Sequence, residues 1–214
     1  MEQNGYGESW LVSEQELKIL LAGLGYEQIH GLFASEQVIP RCQVLQEMIS
    51  MMRQGKIHRD GAAFHVSPQL EQLLARMGMA HRVLLLHAEE EYCCYCGAET
   101  VLCQSVPYNP QLLRISILQA EQVTELAMDG LPEDGDVLFR LDEQSLWQAD
   151  IKTLLSAELY QDGIPVMQLS VRQLAIQPPE ICVRWGELPE QCIPYSQEEV
   201  RNQLTQLLKQ EDRI

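Results

Sequence analysis

Positive charge is scarce in this chain. Its 214 residues hold 15 Lys plus Arg against 31 Asp plus Glu, a net charge of -16, so a phosphate backbone is repelled unless basic side chains gather on one face. Nucleic acid is therefore not an expected partner. Long apolar runs are also missing. They are as short as Val83 to Leu86, where about 18 residues are needed to span a bilayer, so no membrane segment is expected. Met1 to Trp10 has neither a basic region nor an apolar stretch and does not read as a secretory leader. No Ser/Gly linker, low-complexity tract or aligned repeat divides the chain. The nucleophile elbow G-x-S-x-G, the phosphate loops G-x-x-x-x-G-K-[ST] and G-x-G-x-x-G, and the zinc helix H-E-x-x-H are all absent. An enzyme is not expected, and neither is a cofactor.

What is present is an ordinary globular composition, 46% apolar and 21% charged. At 24.4 kDa the chain can bury a core without metal or disulfide staples. Its 7 cysteines are an odd number without an export signal, which reads as reduced thiols in a cytosolic protein.

Ser13-Glu14-Gln15-Glu16 is a capping box, and Leu17, Leu20, Leu21 and Leu24 place one apolar stripe on the helix that follows. After Pro40, the residues Val44, Leu45, Met48, Ile49 and Met52 repeat that spacing up to Gly55. Lys56 to Arg59 and Ala63 to Val66 flank Asp60-Gly61 as a hairpin. Ser67-Pro68 then opens a third helix through Leu70, Leu73, Leu74 and Met77. Short connections make strands 82–87, 91–96, 100–106 and 112–118 antiparallel neighbours. A helix is expected over 119–128, a strand over 137–141, and a helix from Asp142 carrying Leu146, Ile151, Leu154 and Leu155. Strands over 166–176 and 181–185 precede a second capping box, Ser196-Gln197-Glu198-Glu199, and a last helix with Val200, Leu204, Leu207 and Leu208. The fold class is α+β: a central antiparallel sheet with helices packed on it, in pseudo-twofold halves. The halves are 1–118 and 119–214, within one compact domain.

Candidate chemistry is sparse. Cys93-Cys94-Tyr95-Cys96 and Cys103 form the one dense thiol group. A turn over 97–99 sets Cys93 opposite Cys103, whereas a one-residue slip sets Cys94 there, and neither register gathers the four ligands zinc needs. These cysteines read as small core residues, with no metal expected. Of His30, His58, His65, His81 and His87, only His58 and His65 face each other, giving two ligands at most. Glu89-Glu90-Glu91 and Glu133-Asp134-Gly135-Asp136 read as solvated loop charge.

The early helix Glu16-Leu17-Lys18-Ile19-Leu20-Leu21-Ala22-Gly23-Leu24-Gly25 precedes a helix ending in Gly55-Lys56-Ile57, then a hairpin, a Leu-rich helix, antiparallel strands and a similar second half. This order resembles the EspG-type chaperones of type VII (ESX) secretion systems. The resemblance implies a cytosolic protein that shields a helical secretion substrate and performs no catalysis. Leu204, Leu207 and Leu208 are the candidate partner-binding residues, weighed against a role in sealing the core. The alternative is an acidic winged-helix-like transcriptional regulator, with 56–66 as its wing.

Overall fold

The computed structural model describes residues 9–26, 39–134, 151–174 and 178–209. The elements are β1 (Ser9–Ser13), α1 (Glu14–Gly23), α2 (Arg41–Arg53), β2 (Ile57–Asp60), β3 (Ala63–Val66), α3 (Pro68–Gly78), β4 (Arg82–His87), β5 (Glu91–Cys96), β6 (Thr100–Val106), β7 (Asn109–Leu118), α4 (Ala120–Met128), β8 (Ile151–Gln161), β9 (Ile164–Leu174), β10 (Glu180–Trp185), β11 (Gln191–Pro194) and α5 (Gln197–Lys209). The fold is α+β, with helices on a nine-stranded sheet of order β1-β7-β6-β5-β4-β8-β9-β10-β11. Every neighbouring pair is antiparallel.

Topology repeats about the middle of that sheet. From β4, a four-stranded meander runs outward to β7 and ends in α4; from β8, a second runs the other way to β11 and ends in α5. The two meet where Arg82 to His87 pair with Gln161 to Ser156. An antiparallel pair carries a local twofold axis, so growing a sheet outward from both of its strands extends that symmetry. α4 and α5 close one face together. Arg201 Nε donates to Glu125 Oε1 at 2.8 Å, the hydroxyls of Thr124 and Thr205 lie 3.2 Å apart, and Lys209 pairs with Glu121. Buried Arg82 donates to the Leu207 carbonyl at 2.6 Å, tying the end of α5 to β4.

Local chemistry explains most boundaries. Ser13 Oγ accepts from the Glu16 amide at 3.0 Å and Glu16 Oε2 accepts from the Ser13 amide at 2.8 Å, a complete capping box. At Ser196 only half of one forms: its Oγ accepts from the Glu199 amide at 3.4 Å, while the Glu199 carboxylate instead accepts from Gln203. Asp162 and Gly163, with φ of 48° and 78°, supply the two left-handed residues of a primed turn between β8 and β9. In the smaller hairpin Asp60 pairs with Ala63, so the turn residues are Gly61 and Ala62 and not Asp60-Gly61; only Gly61 has positive φ, at 58°.

Three expectations are corrected. Ile151, Leu154 and Leu155 lie in strand β8, not in a helix; the expected strand 137–141 and the residues from Asp142 to Asp150 fall outside the described residues. A register shift between Thr153 and Leu155 inserts Leu154 as an extra residue, and the resulting Leu-Leu step imitates helical spacing. Beyond it, buried Leu155, Ala157 and Leu159 alternate with half-buried Ser156, Glu158 and Tyr160. Secondly, β7 starts at Asn109, because Val106 pairs with Asn109 around Pro107-Tyr108. Thirdly, the cysteines are not all reduced: Cys182 and Cys192, Cα partners on β10 and β11, form a disulfide. β1 and β11, the two edge strands, go beyond the sequence expectation.

The core lies on both faces of the sheet. One cluster joins Leu84, Leu86, Leu102, Leu155, Leu169 and Ile181 to α4 and α5. The other joins Val83, Cys93, Tyr95, Val101, Cys103, Leu113 and Ile115 to α1, α2 and α3. Among the described residues, no helix is long and apolar enough to cross a membrane.

Candidate functional site

The N-terminal elements are drawn together at one buried ion pair. Lys56 Nζ lies 2.6 Å from Glu16 Oε2, with both side chains almost fully enclosed, and that carboxylate oxygen also holds the Ser13 amide. The Lys56 amide donates to Met51 O at 2.9 Å and its carbonyl accepts from Ser67 N at 2.8 Å. A single residue thus ties α1, the end of α2, the hairpin and the start of α3. Such a pair is costly to desolvate, and its return is orientation: the carboxylate and ammonium satisfy each other in only one arrangement of these elements.

That arrangement leaves a gap. A cavity of about 350 Å³ is lined by Ile19, Leu20 and Leu24 of α1 with its neighbouring turn, Met48 and Met51 of α2, Ile57 of β2, and Phe64 and Val66 of β3. Among the described residues its ionisable lining is His65 and Glu71, with no Lys or Arg. Phe64 is 45% exposed at the mouth. On the outer side of α2, Leu45 and Ile49, at 55% and 47% exposure, add apolar surface next to the exposed thiol of Cys42. A volume of this size is within the range of ligand and peptide pockets, and its walls come from three helices and a hairpin of the N-terminal third of the chain.

The residues singled out from sequence go elsewhere. Leu204, Leu207 and Leu208 are 0%, 2% and 2% exposed and pack into the cluster beneath α4 and α5; they seal the core and offer no surface in this conformation. Cys93 and Cys103 are Cα partners, as a 97–99 turn requires, and face α1 and α3. Cys94 and Cys96 point to the opposite cluster, so the four sulfurs do not converge. Burial pushes the Cys94 and Cys103 thiols well up and the Cys96 thiol to about 11, which keeps them protonated and unreactive.

The histidines and acidic loops resolve similarly. His58 and His65 oppose each other with ring centroids 5.5 Å apart, stacked on the exposed hairpin. His81 and His87 pair with Asp162 and Glu91, and His30 lies outside the described residues. Asp134 is not merely solvated: its Oδ1 accepts from the Gln197 amide at 2.7 Å and so caps α5 from a distant loop. Gly135 and Asp136 lie outside the described residues, and Glu90 accepts from Gln104 at 3.1 Å.

Sequence reasoning missed the groove. Its one available signal was the excess of apolar residues on α2, where Val44, Met48 and Met51 turn inward and Leu45 and Ile49 remain outside. No protein-family model matches the chain, and no curated protein matches it.

Proposed function

We propose that this is a cytosolic binding protein of the chaperone or adaptor type, which takes the apolar face of a partner's amphipathic helix into the groove between α1, α2, the β2–β3 hairpin and α3. The observation that carries this reading is the apolar cavity of about 350 Å³ with half-exposed Phe64 at its mouth. A helix lays side chains at i, i+3, i+4 and i+7 into such a groove, each fully buried anchor contributing about 1.5–3 kcal/mol. Charge selects among helices. The lining has a carboxylate, Glu71, but no Lys or Arg, and the whole chain carries -16, so a helix with a basic edge is favoured over an acidic one. The resemblance to EspG-type chaperones implies a partner of the same kind, a helical secretion substrate.

The test uses a fluorescent designed helix with leucines at i, i+3, i+4 and i+7 and lysines along one edge, titrated with the full chain. Phe64→Ser, at an exposed position, should weaken binding by at least about tenfold while leaving the circular dichroism unchanged. Equal binding by that variant, or preference for a glutamate-edged helix, overturns the reading. So does a concentration-dependent dimer abolished by Phe64→Ser, which would assign the groove to a second copy. Tight, salt-sensitive binding of duplex DNA would instead favour the winged-helix-like regulator.

A further inference from the structure

The edge of the sheet furthest from the groove carries a repeated short pattern, Glu180-Ile181-Cys182 on β10 and Glu190-Gln191-Cys192 running into β11. Antiparallel pairing sets Cys182 against Cys192, with Glu180 two residues before Cys182 on β10 and Glu190 just ahead of β11. One carboxylate oxygen of Glu180 and both sulfurs lie within 4.8 Å of one another, the one such group of potential metal ligands among the described residues. Glu190 Oε2 sits 3.9 Å from Cys192 Sγ and accepts from Arg172 at 2.8 Å. A second observation points at the same place. Ser170, directly across β9 from Cys182, is 2% exposed and its hydroxyl has no hydrogen-bond partner. A buried hydroxyl left unpaired is costly, and an anionic sulfur on the adjacent strand is an acceptor for it.

We infer that this edge is a redox-gated zinc site: the disulfide form excludes metal, and the dithiol form binds one Zn²⁺ through Cys182, Cys192 and Glu180, with the fourth position open to water. Two thiolates and a carboxylate suit zinc better than the hard cations, which prefer oxygen alone. The gating step balances simply. A phosphine reductant gives two electrons to the S–S bond and takes the oxygen of water as its oxide, while the two water protons go to the separated sulfurs. Zinc binding then releases both thiol protons. Glu190, held by Arg172 beside Cys192, would be the neighbouring acceptor for such a site, and the unpaired Ser170 hydroxyl on the adjacent strand the neighbouring donor. Glu180 on β10 and Cys192 on the outermost strand β11 are exposed and Cys182 is buried, so metal would approach from the side of the first two.

The full chain is prepared oxidised and, separately, reduced with a phosphine that is removed under anaerobic conditions; Zn²⁺ or Co²⁺ alone is then added. The reduced protein should retain about one zinc after desalting, and its cobalt form should show a thiolate charge-transfer band in the near ultraviolet. Cys192→Ser should abolish both, and Glu180→Gln should weaken retention by more than about tenfold. Cys93→Ser should change neither, and the oxidised protein should bind nothing. Cys192→Ser alters an exposed edge residue, so circular dichroism can establish that it is folded before loss of metal is interpreted. A reduced protein without zinc, an oxidised protein that binds equally, or Cys192→Ser retaining full stoichiometry overturns the assignment. None of these readouts depends on the groove.

Discussion

The meanders β4–β7 and β8–β11 share a topology and differ in what covers them. The first is enclosed on both faces: α4 and α5 lie over Leu84, Cys94 and Leu102, while α1 and α3 lie over Val83, Cys93, Val101 and Cys103. The second shares the α4–α5 cover, and among the described residues no apolar cluster forms on its other face, which carries Ser156, Glu158, Tyr160, Gln168, Ser170, Arg172 and Arg184. Several of these are hydrogen-bonded to one another: Tyr160 and Gln168 donate to Glu158 at 3.0 and 3.1 Å, and Arg184 donates to Gln168 at 2.7 Å. Composition follows coverage. The first unit's strands RVLLLH, EYCCYC and TVLCQSV are nearly continuous apolar runs, whereas MQLSVRQL in β9 alternates. Directly opposed cysteines differ accordingly. Cys93 and Cys103, both fully buried inside the doubly covered unit, remain separate thiols, and buried Cys182 and exposed Cys192, on the outermost strand pair, are joined.

The comparison breaks most sharply at one strand position in each unit. Cys103→Asp on β6 would bury an unpaired carboxylate between β5 and the N-terminal helices. Its cost of several kcal/mol should abolish the cooperative thermal transition. Gln168→Asp, on the same face of the second unit, should stay within about 1 kcal/mol of the parent in urea unfolding, the excess reflecting its nearness to Glu158. Equal damage from both would mean the second face is covered after all.

Next in size is the ion pair that anchors the cover. Lys56→Met should destabilise by about 3–5 kcal/mol because it strands the buried Glu16 carboxylate, and adding Glu16→Leu should recover much of that loss. If the cover is what protects Cys93 and Cys103, the single variant should also raise the rate of thiol alkylation above the background from exposed Cys42. Leu204→Ala opens a cavity under the cover common to both units and should cost about 2–5 kcal/mol by chemical denaturation.

A smaller loss is expected at Gly78, where an added Cβ would run into the Tyr26 ring. Gly78→Ala should cost about 1–3 kcal/mol unless the ring moves aside, and a Phe64-dependent change in helix binding would show that the displacement reaches the groove. The smallest effect belongs to the α4–α5 contact. Lys209 and Arg201 hold the Glu121 and Glu125 carboxyls below their ordinary range. A depressed folded-state value contributes stability above the unfolded carboxylate range, and that contribution disappears as pH falls through the depressed value. Both pairs are exposed, so the midpoint temperature should drop only slightly more on acidification in the parent than in Arg201→Gln, and salt should erase the difference.

Much of the architecture was legible. Strands β4, β5 and β6 follow from apolar runs closed by turn residues, and α1 from its capping box, because each depends on interactions within a few residues. The sequence left two registers open for Cys103, opposite Cys93 or opposite Cys94, and the assembled hairpin selects Cys93. The bulge at Leu154 was not legible, since an inserted residue breaks alternation without a residue-type signature, and the pattern it leaves is that of a helix. β11 was missed for a related reason: Gln191-Cys192-Ile193-Pro194 has little strand propensity and is held by pairing with β10. The capping role of Asp134 spans more than sixty residues, and no local pattern encodes it. The partner-binding residues were sought on α5 because its stripe is the clearest apolar periodicity near the C-terminus. That same clarity is what makes Leu204, Leu207 and Leu208 core residues.

By itself, the order of side chains along this chain determined its class, most of its elements and its acidic composition. Those properties are sums over neighbours, so a linear reading contains them. Only the tertiary structure decided which apolar residues are left over. Ile19, Met48 and Phe64 resemble any core residues in sequence, and they become the lining of a groove where α1, α2 and the β2–β3 hairpin meet. The two cysteine pairs likewise acquire different states from where the sheet ends, since exposure at an edge is a property of the assembled strands and of no single one.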